Sequence, residues 1–160
     1  MNTKQVRMKN FEIKNFYEFL NKIAMERGVS VAVTECVLKN LKELDSVYKD
    51  VLSGIFNPDT DKNVLQYKQD IQKIQFQFAD KNEKGEVILT NGKIQITEKF
   101  QEYEAAIKEL NEKNAHIIQM VNNAPAYNNQ YMNGDRDVTL NVLESYPDET
   151  HPLLVYYLTK

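Results

Sequence analysis

Val87-Ile88-Leu89-Thr90-Asn91-Gly92-Lys93-Ile94-Gln95-Ile96 is the stretch that decides how the chain is arranged. Two β-prone runs flank an Asn-Gly pair, and both central positions of a type I′ turn require positive φ, which these residues tolerate. The sequence therefore predicts a tight hairpin over 86–97. On its N-terminal side Val64, Tyr67, Ile71, Ile74 and Phe78 recur at spacings of 3 and 4. On its C-terminal side Phe100, Tyr103, Ile107, Leu110, Asn114, Ile117 and Val121 keep the same rhythm. Each is the apolar stripe of an amphipathic, coiled-coil-like helix. Two long helices tied by a hairpin must run antiparallel. The first is expected to begin around Asp59 to Asp61. The second, capped by Thr97, is expected to run unbroken from Glu98 to Val121, roughly 36 Å at the helical rise.

Working outward toward the N-terminus, Val37, Leu41, Leu44, Tyr48, Val51 and Ile55 form another stripe. It starts at Ser30 or Thr34 and is stopped by Asn57-Pro58-Asp59, because proline neither donates to a helix nor lets its predecessor stay helical. Phe16, Phe19, Leu20 and Ile23 mark a first helix, with Asn15 and Glu18 placed as a capping box and Gly28 beyond its end. Before it, Val6-Arg7-Met8-Lys9 and Phe11-Glu12-Ile13 alternate loosely, as a short strand would.

Beyond Val121 the texture changes. Residues 122–135 are rich in asparagine and tyrosine, lack an apolar face and read as a long loop. Val138, Leu140 and Val142 alternate as a strand. For Leu153-Leu154-Val155-Tyr156-Tyr157-Leu158, periodicity leaves a terminal strand and a buried helical turn both open. The expected fold is mainly α (α+β): an antiparallel bundle of about four helices with the hairpin between the two longest and a small C-terminal β element. It is expected as a single domain over 1–160, with the bundle in 1–121 and a loop and strand tail in 122–160.

The 160 residues carry a net charge of −3, with 42% hydrophobic and 27% charged side chains, a globular rather than disordered balance. Residues 1–27 hold six basic and three acidic side chains; residues 135–160 hold five acidic and two basic. An acidic total argues against nucleic acid as the main partner, since such binding depends on displacing counterions from phosphates. Cys36 is the only cysteine, so no intrachain disulfide is expected. No apolar run approaches the ~20 residues of a spanning helix. The first residues lack the apolar core of a signal peptide. A cytoplasmic protein with no membrane partner is expected.

The inventory for catalysis is thin. His116 falls inside a helix, His151 precedes Pro152, and Cys36 lies near a helix start with no histidine nearby in sequence. Asp59-Thr60-Asp61-Lys62-Asn63 resembles the opening of a calcium loop, yet Val64 replaces the glycine such a loop needs, and Asp70 stands where glutamate is wanted. Carboxylates alternate with lysines (Glu98/Lys99, Lys108/Glu109, Glu112/Lys113), as on a solvated helix face. No catalytic residue, cofactor, metal site or small-molecule substrate is expected. Binding is better represented. Asn114 interrupts an apolar stripe, where a polar residue commonly fixes register or partner number, although an open bundle end would serve it equally well. Tyr127, Tyr131 and Tyr146 lie in a Tyr/Asn-rich quarter, and such side chains suit protein recognition.

The order of parts resembles that of small accessory proteins of tailed bacteriophages from low-GC hosts. The resemblance is carried by Phe16-Tyr17-Glu18-Phe19-Leu20-Asn21, the long helix pair, Glu83-Lys84-Gly85-Glu86-Val87 between them, Ile94-Gln95-Ile96 running into a Glu-rich helix, and the short β tail. It implies a phage accessory or virion-associated protein and assigns no catalytic residue. A non-enzymatic interaction protein is therefore expected, with other virion proteins or itself as partner. A small acidic inhibitor of a host nucleic-acid-binding defence protein is the alternative.

Overall fold

The computed structural model describes residues 1–160. Its elements are β1 (Asn2–Lys9), α1 (Asn10–Ala24), α2 (Val31–Ser53), α3 (Lys62–Phe78), β2 (Leu89–Thr90), β3 (Lys93–Ile94), α4 (Phe100–Lys113), α5 (Ala115–Asn122), α6 (Ala124–Met132), β4 (Asp135–Val142) and α7 (Pro152–Thr159). The chain is mainly helical with two small antiparallel sheets. It divides into two compact units, one of residues 1–55 and 128–160, the other of residues 56–127.

In the first unit β1 pairs antiparallel with β4, Asn2 opposite Val142 and Lys9 opposite Asp135. Alternation sends Val6 and Met8 of β1 and Val138 and Leu140 of β4 into the core. Helices α1 and α2 pack against each other, α2 and α7 pack against β4, and Phe16, Leu20, Val37, Leu44, Leu154 and Leu158 fill the space between. Tyr17 of α1 stacks on Tyr48 of α2 at 4.1 Å and donates its hydroxyl to Asp45 at 3.0 Å. Ser30 caps α2 by accepting the Val33 N–H, which selects it over Thr34 as the helix start. The segment left open between strand and helix, 153–158, is helical, with Pro152 in its first turn.

Three expectations about this unit are corrected. Phe11, Glu12 and Ile13 are not strand. Helix α1 begins at Asn10, five residues before Asn15, because the Glu12 carboxylate takes the Lys9 N–H at 2.9 Å and closes the first turn there. Helix α2 stops at Ser53, before Asn57-Pro58. The ring of Tyr131 crowds Gly54, so that a Cβ at that position would lie 2.1 Å from it.

In the second unit α3 and α4 pack antiparallel, with Tyr67 donating to Asn111 at 2.6 Å near one end. At the other end the Asp80 carboxylate accepts the Thr97 hydroxyl at 2.6 Å and the Thr97 and Glu98 N–H groups at 3.0 and 3.1 Å. Thr97 therefore does not cap α4 but binds Asp80, and the helix starts three residues later at Phe100. Asp61 caps α3, accepting the N–H groups of Asn63 and Val64. Asn91 and Gly92, at φ 52° and 74°, turn β2 into β3, whose ladder is only the pairs Leu89–Ile94 and Thr90–Lys93.

The unbroken helix over 98–121 is also corrected, as is the loop over 122–135. Helix α4 ends at Lys113 with Asn114 as its C-cap, α5 ends at Asn122 with Asn123 as its C-cap, and α6 occupies Ala124–Met132. At each break the asparagine leaves helical geometry (φ −109°, ψ 19° and φ −112°, ψ 18°), and its side-chain amide donates to the carbonyl four residues back. Such back-bonding bends a helix by competing with the backbone donor for that carbonyl. Pro125, which has no N–H to give, helps set the second break.

Candidate interaction surfaces

The residues singled out for partner binding are placed as follows. Asn114 is half-buried at the α4–α5 break and donates to the Leu110 carbonyl at 2.8 Å. Tyr127 is exposed on α6 and meets the Phe56 ring edge-on at 6.1 Å. Tyr131 is anchored internally: its hydroxyl donates to the Asp50 carbonyl and accepts from Arg136, both at 3.2 Å. Tyr146 is half-buried against the core, accepts the Leu143 N–H at 3.2 Å, and burial raises its pKa. Each of the four thus has its own intrachain neighbour.

Two asparagines that periodicity does not single out organise the first unit. Asn40 is fully buried on α2. Its amide donates to the carbonyls of Cys36 and Asn141 at 3.0 and 2.8 Å, and its Oδ1 accepts the Asn141 N–H at 2.8 Å. One side chain thereby acts as a strand neighbour for β4 at a single residue. Asn10, also buried, donates to the Tyr131 carbonyl at 2.7 Å and accepts from Arg136 at 2.8 Å. Its place three residues after Val37 and four before Leu44, on the apolar face of α2, was the available signal for Asn40. Its partner, 101 residues away, was not readable.

The groups with chemical potential are held in structural roles. Cys36 is buried, gives its S–H to the Asn141 carbonyl at 3.2 Å, and burial pushes its pKa up to about 11. A thiol in that state stays protonated at neutral pH and is a poor nucleophile. His151 caps α7, its Nδ1 accepting the Leu153 N–H at 3.1 Å, while its ring stands edge-on to Phe19 at 5.0 Å. His116 is exposed on α5. No three His, Cys, Asp or Glu side chains come close enough together to hold a metal ion. A cleft of about 360 Å³ in the first unit is lined by Arg27, Ser30, Glu149 and His151 among others, and Arg27 shares it with Glu26 and Glu149. No helix is long and apolar enough to cross a membrane.

The second unit offers a different surface. Along α3, Tyr67, Ile71, Ile74 and Phe78 are only half-buried, and along α4 and α5 so are Tyr103, Ile107, Leu110, Ile117 and Val121. Phe76 and Phe100 are about half exposed, at 55% and 47%. Val64 and Ala124 are the only buried apolar side chains of this unit. The stripes meet one another but lack a second layer. Comparison of the chain with protein-family models, with curated proteins and with solved structures finds no match in any of the three.

Proposed function

We propose that this is a non-enzymatic interaction protein, a structural or assembly component of a phage-like particle, and that the α3–α4–α5 arm is what it offers to partners. One observation carries the reading: the aromatic and branched side chains of a stripe over three helices are each only partly buried. Apolar surface of that extent gains stability by leaving water, at about 25 cal/mol per Å². In this reading helices from another protein lie on the seam. The phage-like setting rests on the resemblance in layout.

The test is lysine cross-linking followed by mass spectrometry on the source particle and on the purified chain. Lys68, Lys73 and Lys108, exposed beside the seam, should cross-link to a second polypeptide, and Ile71→Ser with Ile74→Ser should abolish those links. A chain that sediments as a monomer, is missing from the particle and yields only intrachain links would overturn the reading.

A further inference from the structure

Strand β1 has one strand neighbour, β4. In an antiparallel pair, the N–H and C=O of a residue point to the same side, and the side alternates along the strand. Asn141 directs both groups to Asn40, away from β1, so its pair with Thr3 is a non-hydrogen-bonded one. The other end of the ladder gives the same phase. Lys9 gives its N–H to Glu12, and Asn10 gives its N–H to the Gly134 carbonyl at 2.9 Å. Lys4, Val6 and Met8 therefore bond to β4, and Thr3, Gln5 and Arg7 direct their backbone groups outward. Those three make no further backbone hydrogen bond, and all three are exposed. They present alternating donors and acceptors over about 14 Å of extended chain.

We propose that this open edge binds an extended acidic segment of another protein as a third strand. Main-chain pairing supplies affinity in such additions, and alternate side chains supply selectivity. The charge of the edge chooses the occupant. β1 carries Lys4, Arg7 and Lys9 and no carboxylate. Its present neighbour answers this with Asp137 opposite Arg7 and Asp135 opposite Lys9, and Asp135 lies 3.5 Å from the Arg7 guanidinium. Thr139, opposite Gln5, accepts from its amide at 2.8 Å. A segment with carboxylates at alternate positions and a hydroxyl beside them repeats that answer on the free side. A second copy of β1 would bring three more cations to the edge and no carboxylate to answer them. The surface lies on the first unit and does not depend on the helical seam.

The experiment is selection of a displayed random octapeptide library on the immobilised full chain, followed by NMR with the enriched peptide. Acidic residues should be enriched at alternate positions. On titration the amides of Thr3, Gln5 and Arg7 should shift and become protected from exchange, whereas those of Lys4, Val6 and Met8 should change little. Replacing the peptide's acidic residues with lysine should weaken binding roughly tenfold or more. Gln5→Pro removes the central outward donor and leaves every backbone hydrogen bond to β4 in place, giving up only the side-chain bond to Thr139, and should weaken binding by about the same factor. Its melting curve shows whether it folds, and the exchange pattern of the unaltered chain carries the test if it does not. Absence of acidic enrichment, equal binding of the lysine peptide, or unchanged exchange at the three amides would overturn the proposal. So would a dimer that Gln5→Pro converts to monomer.

Discussion

The two units use the same kinds of helix to different ends. In the first, fifteen buried side chains from β1, α1, α2, β4 and α7 form one cluster, with Phe16, Leu20, Val37, Leu44, Leu140 and Leu154 at 1% exposure or less. In the second, helices with equally regular stripes bury only Val64 and Ala124 among their apolar residues. The difference lies in layers. α1 and α2 have a sheet and a terminal helix to pack on, whereas α3 and α4 have only each other and the short α5. An amphipathic stripe states that a helix wants a partner, and the number of layers around it decides whether that want is met within the chain.

The largest test of the contrast is a pair of truncations. Phe16→Ala removes a fully buried ring that stacks on Tyr157 at 4.5 Å, and should cost about 3–5 kcal/mol. Ile71→Ala, at a partly buried position, should cost about 1–2 kcal/mol in the isolated chain. Chemical denaturation followed by amide exchange would read the two losses in their own units. Equal losses would mean that the second unit is packed as tightly as the first.

What the sequence disclosed follows the range of the forces involved. The Asn91-Gly92 turn and the stripes of α1 to α3 are local and were readable, although the paired strands shrink to two residues each. The pairing of β1 with β4 spans most of the chain, and neither strand names the other. Helix α6 escaped because Ala124–Met132 has almost no apolar face for periodicity to find. The breaks at Asn114 and Asn123 escaped for the opposite reason, since Ile117 and Val121 continue the stripe of α4 past the first bend while an asparagine side chain redirects the backbone. The open edge of β1 needed the hydrogen-bond phase, which the contacts of Asn40, Glu12 and Asn10 supply.

A second test sharpens the contrast at a polar position. Asn40→Ala strips the Asn141 N–H of its partner and removes one from its carbonyl, inside the better-packed unit. Leaving a buried backbone donor unpaired costs about 1–3 kcal/mol, and the lost side-chain volume adds to it. The amides of β4 should exchange faster, those of α3 and α4 should be unchanged, and Asn40→Asp should fail to restore the wild-type value because a carboxylate cannot donate to the Asn141 carbonyl. Full stability in Asn40→Ala would show that β4 is held by β1 alone.

The smallest expected effect belongs to the second unit and is seen through pH. The Thr97 hydroxyl, then the Thr97 and Glu98 N–H groups, hold the Asp80 carboxyl below its ordinary value of 3.8, to about 2. A carboxylate whose pKa is lowered by folding stabilises the folded form fully above its unfolded pKa, and that contribution drains away as the pH falls through the folded one. The window is therefore from about pH 4 down to about pH 2. There the Thr97 and Glu98 amides should lose protection in the wild-type chain while the core amides of α1 and α2 keep theirs. In Asp80→Asn the uncharged amide holds the same donors less strongly at every pH, so the protection should already be lower at neutrality and show no step in that window. A step of equal size in both proteins would place the acid-sensitive group elsewhere in the second unit and remove Asp80 as the tie between α3 and α4.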